Sequence, residues 1–293
     1  MRDPSTLTPS DALSGVVEAV LQAAFRCAEE GEWDRAAELL TEGLLEDPED
    51  PYLLNWLGLV EQELGLDGLA YERFRRAIDS GSNDPILLAT AGSALALFDD
   101  SSAGPALRTA ALLAPQMSEV RWRYGAYLSR EGLLDEALEE LDTASNLDPD
   151  DPVIQLERGV AQALKGDFAS ARLSFDRSVT LDRANGWGLV LLGLIAVEEG
   201  DLEAAVVALD EGARIRHDDP EAQLLAALAL HASGWDDRAY EMLERGRMGP
   251  EGLDTRLADY AEVEMESAPG ASLEFLKDSL GPSALRERLM VRF

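Results

Sequence analysis

The stretch that decides the fold is SEVRWRYGAYLSREGLLDEALEELDTASNLDPDD, residues 118–151. Its first half has apolar residues at helical spacing and ends at Gly132. Its second half places Ala137, Leu141 and Ala144 at successive spacings of four and three, which puts them on one face of a second helix. Two helices joined by a tight turn cannot bury both apolar faces alone. A unit of this kind therefore predicts copies of itself on either side.

The same unit recurs in tandem along most of the chain. Its copies lie at 17–50, 51–84, 85–117, 118–151, 152–185, 186–219 and 220–253. Each first half carries a small residue that would let its partner helix approach: Ala24, Gly58, Gly92, Gly125, Gly159, Gly193 and Ala227. Twelve residues later each copy has an alanine: Ala36, Ala70, Ala103, Ala137, Ala171, Ala205 and Ala239. Four further on it has a bulky apolar residue: Leu40, Phe74, Leu107, Leu141, Phe175, Leu209 and Leu243. This alternation predicts a close-packed core between helices.

Turn and cap residues recur at matching places. A glycine suited to a left-handed helix end separates the two halves at Gly31, Gly65, Gly132, Gly166, Gly200 and Gly234. The third copy is one residue short and replaces this glycine with the run Phe98-Asp99-Asp100-Ser101. Four copies open with a proline that is preceded by an acidic residue, which is typical of a helix start: Pro51, Pro85, Pro152 and Pro220.

These residues closely resemble the tetratricopeptide repeat family. The family signature of an aromatic or Leu, then Leu-Gly, then Ala, Phe and Pro is met best at 118–151 and well at 51–84 and 152–185. The closing proline is replaced by Ser82, Arg183 and His217. Ankyrin, HEAT and armadillo units fit less well in motif or length. The resemblance implies an all-α fold, a right-handed α-solenoid of about seven to eight helix-turn-helix units with a C-terminal capping helix.

The ends of the chain depart from the repeat. Residues 1–9 have little to bury and are predicted to be a disordered tail, and Ser10 is a plausible N-cap. The repeat array is assigned to 10–253, and 254–280 reads as a degenerate eighth repeat. A last helix is predicted after Ser283, within a capping segment at 281–293.

The predicted last helix is amphipathic. Leu285, Leu289 and Phe293 share one face, and three arginines lie beside them: Arg286, Arg288 and Arg292. One interpretation is a cap that shields the end of the array, because terminal repeats need a polar outer side. The other is a latch that docks in a groove and competes with a partner.

The formal net charge of −32 is the strongest signal in the composition. Such a surface repels phosphates, so nucleic acid is excluded as a direct ligand and an anionic membrane is disfavoured. Two interpretations of the acidity stay open: a basic partner, or solubility of a long exposed array. No apolar run is long enough to span a membrane. The start MRDPSTLTPS has no apolar core, and Cys27 is the one cysteine, so a cytoplasmic location is expected.

Nothing in the sequence points to catalysis. His217 lies in a repeat-boundary turn and His231 on a first helix, and neither is joined by a nucleophile or metal-ligand set. The acidic turns at 47–50 and 148–151 lack the ligand spacing of a calcium loop. Gly-rich phosphate loops and cysteine pairs are absent from the sequence. The prediction is a protein with no enzymatic activity, metal or cofactor.

The family resemblance implies a concave groove lined by the first helices. The candidate groove residues are Tyr52, Asn55, Leu59, Trp122, Arg130, Leu156, Trp187, Val190, Leu194, Leu224, Leu228 and His231. The Lys and Asn residues with which some relatives grip a C-terminal carboxylate are nearly absent, apart from Asn55 and Arg130. Three alternatives remain: an apolar groove for a partner peptide or helix, residues partly buried by neighbouring helices, and a groove filled by the last helix of this chain or another copy.

The leading hypothesis is therefore a scaffold or adaptor subunit that binds a protein partner with a basic or apolar helical segment. A self-assembling homo-oligomeric protein and an assembly factor for an envelope complex are the alternatives. Light scattering at several concentrations would separate the first two classes.

Overall fold

The computed structural model describes residues 15–249, 252–268 and 270–291. Within these ranges the chain is helical with short turns and has no strand, as predicted. The predicted tail at 1–9, the cap at Ser10 and two residues of the last helix, Arg292 and Phe293, lie outside the described residues. The helices form two compact units, one up to Glu131 and the other from Gly132 to Val291.

The first unit contains seven described helices. They are α1 (Gly15–Glu29), α2 (Trp33–Glu46), α3 (Pro51–Glu63), α4 (Asp67–Asp79), α5 (Pro85–Ala96), α6 (Ala103–Leu113) and α7 (Ser118–Arg130). Odd-numbered helices are first helices of a repeat and even-numbered ones are second helices. Consecutive helices pack against each other throughout the unit.

The second unit continues the pattern and then leaves it. Its helices are α8 (Leu134–Leu147), α9 (Pro152–Leu164), α10 (Phe168–Leu181), α11 (Gly186–Glu199), α12 (Leu202–Ile215), α13 (Pro220–Ala232), α14 (Asp236–Met248), α15 (Thr255–Ser267), α16 (Ala271–Phe275), a π-helical turn (Leu276–Leu280) and α17 (Gly281–Met290). Helices α9, α11 and α13 are first helices.

The repeated small and bulky positions form the core, as the spacing predicts. All seven alanines and all seven bulky residues are at most 1% exposed. The glycines of the first helices are where the bulky residues fit. A Cβ added to Gly159 would lie 2.6 Å from the Phe175 ring, and one added to Gly193 would lie 2.6 Å from Leu209 Cγ. At these two crossings a glycine is therefore required for the helices to approach.

The predicted turn and cap residues hold the helix ends. The six turn glycines have φ between 70° and 84°, the left-handed conformation that glycine adopts without strain. At the four proline-opened helices the preceding aspartate accepts backbone N–H bonds from the first turn. These carboxylates satisfy donors that have no partner inside the helix.

The short third repeat uses an aspartate cluster in place of a turn glycine. Asp99 has a φ of 53°. The carboxylate of Asp100 accepts hydrogen bonds from the Ser102 N–H at 2.8 Å, the Tyr71 hydroxyl at 2.9 Å and the Arg75 guanidinium at 2.9 Å. The Ser102 bonds come first among the interactions that lower the pKa of Asp100, to about 2. Side-chain bonds therefore stabilise a turn that the repeat elsewhere makes with glycine.

Residues 271–290 are helical without a break. The sequence predicts a last helix that starts after Ser283, whereas helical turns run from Ala271 to Met290. Gly281 has a helical φ of −59°, and its N–H donates to the Leu276 carbonyl five residues back. This wide turn lies just before Pro282, whose ring would clash with a carbonyl and whose nitrogen cannot donate in a regular α-helix. We call residues 271–290 the C-terminal segment.

Candidate functional site

The candidate groove residues of the first unit are only partly accessible. Tyr52, Leu59 and Trp122 are half-buried, whereas Asn55 and Arg130 are buried. The Tyr52 hydroxyl donates to the carboxylate of the α5 cap, Asp84, at 3.2 Å, so it ties α3 to the next first helix. The Arg123 guanidinium lies 4.7 Å from the Trp122 ring centre.

In the second unit most of the candidate residues belong to the core. Five of them are at most 8% exposed: Leu156, Val190, Leu194, Leu224 and Leu228. A ligand could contact such side chains only after the element that covers them has moved away, so the groove assignment stays a prediction. The physical reason for their burial is that these first helices pack against their own second helices, the neighbouring repeats and the C-terminal segment. Only Trp187 and His231 among the candidates of this unit are half-buried.

The C-terminal segment lies on the first helices of the second unit. Helix α16 contacts α13, the π-helical turn contacts α13 and α11, and α17 contacts α11 and α9. The segment thus crosses the first helices in the reverse of their chain order. We call the surface of α9, α11 and α13 that it covers the first-helix face. This contact is of the kind expected if the chain's own last helix fills the predicted groove.

The segment presents one continuous buried stripe to that face. Its buried residues are Ser272, Leu276, Leu280, Gly281, Ala284, Leu285, Arg288 and Leu289. The steps of four drift around a regular helix, since four residues exceed one turn of 3.6 residues. The π-helical turn has more residues per turn, and it keeps the two halves of the stripe on one face. The leucines of the stripe join the core cluster that contains Val190, Leu194 and Leu228.

A buried arginine forms the polar part of the contact. Arg288 Nη1 and Nη2 donate to the two carboxylate oxygens of Asp219 at 2.9 and 3.0 Å, and Nε donates to Glu221 at 3.0 Å. The side chain of Arg288 is 6% exposed and that of Asp219 is 11% exposed. The guanidinium also lies 5.1 Å from the Trp187 ring centre. A planar guanidinium fits this bidentate and stacked arrangement, which a lysine could not reproduce.

The surroundings keep both partners charged. Burial would raise the pKa of the Asp219 carboxyl, but the hydrogen bonds and charge of Arg288, with the Ala222 N–H, hold that pKa below its ordinary value. Burial also opposes the charge on Arg288, yet Asp219 and Glu221 raise the pKa of its guanidinium. A second cation, Arg216, bonds Asp219 at 3.0 Å and faces the Trp187 ring at 5.1 Å. The site is therefore an ion-pair cluster around an aromatic side chain.

The other end of the segment is fixed by a hydrogen-bonded contact. His231 Nδ1 lies 2.6 Å from the Ser272 hydroxyl, which is itself fully buried. His231 is thus a partner of the C-terminal segment. His217 stays in an exposed turn, where its ring lies 3.4 Å from the Ile215 carbonyl.

Sequence reasoning singled out the arginines of the last helix but not their acceptors. The repeat pattern marks Asp219 only as the acidic residue before Pro220, and it gives Glu221 no role. A usable signal was the amphipathic pattern from Ser272 to Leu289, read as one unit with a single arginine on its apolar face. In the described ranges, no three His, Cys, Asp or Glu side chains group as a metal site. None of the helices described is long and apolar enough to cross a membrane.

Comparisons with known proteins agree on the architecture. Residues 28–85 and 125–186 match the family model of the tetratricopeptide repeat. The structure of pilF from Pseudomonas aeruginosa is 23% identical, covers 69% of this chain and 92% of its own, and has a TM-score of 0.55. A tetratricopeptide repeat protein of Parabacteroides merdae is 13% identical over 89% of this chain and all of its own length, with a TM-score of 0.60.

A third structure, the APC/C hetero-tetramer Cut9-Hcn1, is 17% identical, with a TM-score of 0.66. The match covers 93% of this chain and 49% of that one. No curated protein matches the chain significantly. At these identities the likeness to the solved structures shows the fold alone.

Proposed function

Because the chain carries tetratricopeptide repeats, we propose that it is a non-enzymatic scaffold that binds a helical segment of a partner protein on the first-helix face of its second unit. The repeat fold suggests interaction with other proteins in general. The finer assignment rests on one observation. The first-helix face already holds an amphipathic helical segment, which belongs to the chain itself.

The chemistry of the face supports a helix as its ligand. Its floor is apolar, and Trp187 stands at its edge beside Arg216. An amphipathic helix binds such a surface through side chains at helical spacing, while its polar side stays in water. Aromatic and arginine side chains are also the types that contribute most to protein interfaces.

Site-specific photo-crosslinking in the native host tests this proposal. A photoreactive phenylalanine analogue replaces Trp187, and in a matched control it replaces Leu173, which is 72% exposed on the second helix α10. We expect a covalent adduct with another protein at position 187 and none at 173. Adducts at 173 alone, or at neither position, would contradict the proposed binding face.

A further inference from the structure

We infer that the first-helix face is a binding site for a basic amphipathic helix that presents one arginine to Asp219 and Glu221, and that the C-terminal segment occupies this site as an intramolecular competitor. The inference rests on the proposed function, since it names the partner class and the regulation of the same face. Three features of the molecule support it: the form of the segment, the buried arginine and the balance of charge.

The segment has the form of a ligand. It follows a turn at Gly270, whose φ is 96°, and then runs back across α13, α11 and α9. One side of it is buried, and the other is exposed at Glu274, Lys277, Asp278, Arg286 and Glu287. Helix α16 also packs on α15, as the second helix of a repeat would, whereas the π-helical turn and α17 continue across α11 and α9 and leave the repeat pattern. The segment therefore makes the kind of contact that a separate amphipathic helix would make.

The buried arginine is what distinguishes a recognition site from a simple cap. A cap needs only apolar side chains, and replacement of a buried ion pair by hydrophobic residues is often neutral or stabilising. Here Arg288 is desolvated and bonded to both Asp219 and Glu221. Such a contact contributes selectivity more than stability, because a helix without the arginine lacks the cation that Asp219 and Glu221 share. The face thus selects a helix by one positive side chain in its apolar stripe.

The charge balance indicates a partner more basic than the segment. The chain carries a formal net charge of −32. Residues 271–291 are balanced, because Glu274, Asp278 and Glu287 offset Lys277, Arg286 and Arg288. A partner helix with the same apolar stripe and more cations would be attracted by the field of the whole chain, which also speeds association. Such a helix can displace the segment.

Competition within one chain has a calculable consequence. A tethered segment faces its site at an effective concentration on the order of millimolar, so a free helix of similar intrinsic affinity binds poorly while the segment is docked. Undocking the segment removes this competitor. The apparent affinity for a free helix should then rise about tenfold or more.

The test uses two full-length variants with the same change of charge. Arg288→Glu reverses the buried cation against Asp219 and Glu221, whereas Arg286→Glu makes the same reversal on the exposed side of the helix. The probe is a fluorescein-labelled peptide of residues 271–291, and the readout is fluorescence anisotropy. We expect the Arg288→Glu chain to bind the peptide at least about tenfold more tightly than the wild type and the Arg286→Glu chain. A peptide with glutamate in place of Arg288 should bind none of them.

A charge-swap variant distinguishes the loss of the ion pair from unfolding of the chain. In the double variant Glu221→Arg and Arg288→Glu, the Glu221 part of the contact is restored with opposite sign while Arg216 still pairs with Asp219, so the segment should dock again in part and peptide binding should fall. Protection of amides 271–290 from hydrogen exchange should be lost in Arg288→Glu and regained in part in the swap. Circular dichroism melting reports whether the repeats stay folded.

Two results would overturn the inference. In the first, Arg288→Glu melts cooperatively and exposes the segment but gains no peptide affinity, so the segment is a cap alone. In the second, the wild-type chain has dimeric mass and binds peptide only on dissociation, which assigns the face to a second copy. If the peptide binds as expected but no crosslink forms in the host, the face does bind a separate helix. In that case the inference holds and only the proposed cellular function is refuted.

Discussion

The guanidinium of Arg288 makes two parallel hydrogen bonds to the carboxylate of Asp219, 69 residues earlier in the chain. Asp219 is at the same time the N-cap of α13, where it accepts the Ala222 N–H at 2.9 Å. One carboxylate therefore both starts a first helix and holds the helical segment that crosses it. The end of the repeat array and the docking of the C-terminal segment are energetically linked at this residue.

The stability of the second unit should depend on Arg288. Arg288→Ala leaves Asp219 and Glu221 without their shared cation in a site that is largely buried. Loss of one partner of a buried ion pair costs about 3 kcal/mol. Urea unfolding followed by circular dichroism measures this loss. Arg286→Ala, on the exposed side of the same helix, should change the free energy of unfolding by less than about 0.5 kcal/mol, and equal losses in the two variants would refute the assignment.

The repeat register makes a separate prediction about packing. Ala137 is fully buried at the small position of α8, and Glu139 on the same helix is exposed. Ala137→Leu should cost roughly 1–3 kcal/mol, because added methylenes force a tight core apart. Glu139→Leu should be nearly silent. If thermal melting shows the same midpoint for both variants and the wild type, the register given for the repeats is wrong.

Acid should destabilise the third-repeat turn in a defined window. The pKa of Asp100 is lowered from 3.8 to about 2, first by the Ser102 bonds. A lowered pKa means that the stability contributed by the ionised carboxylate is present above 3.8 and is lost as the pH falls towards about 2. Asp100→Asn should remove this part of the pH dependence and lower stability at neutral pH. Denaturant unfolding from pH 5 to pH 2 tests it, and an unchanged profile in the variant would rule out this role.

Replacements of Trp187 and Trp122 should have different effects on peptide binding. In the Arg288→Glu chain, Trp187→Ala should weaken binding of the 271–291 peptide by about 2 kcal/mol, since an aromatic anchor is lost. Trp122 lies on α7 in the first unit, and Trp122→Ala should leave this peptide's affinity unchanged. Fluorescence anisotropy measures both variants. The prediction fails if the two substitutions weaken binding equally.

The periodic part of the protein could be predicted from the chain alone. The core alanines, the bulky partners and the turn glycines repeat at fixed spacings, and helix formation depends on residues three or four apart. The aspartates before Pro51, Pro85, Pro152 and Pro220 likewise act within three residues of themselves. The spacing of core, turn and cap residues is local information, and it is present in each copy of the repeat.

The burial of the candidate site residues could not be predicted from the sequence, because burial depends on distant neighbours. Offsets within a repeat suggested that Leu156, Val190, Leu194, Leu224 and Leu228 line an open groove, and the structure places them in the core. A first helix contacts its own partner, the adjoining repeats and, in the second unit, the C-terminal segment. Spacing within one repeat carries no information on this last contact.

The amino-acid order thus determined the helix pairs, their turns and their caps, because those follow from short-range spacing repeated along the chain. It also marked the last helix as amphipathic and unusually basic. Three-dimensional packing decided where that helix docks, which acidic residues accept Arg288, and how the stripe keeps its face across Pro282. The pairing of Arg288 with Asp219 occurs once and joins residues 69 positions apart. The periodicity of the sequence therefore could not predict it.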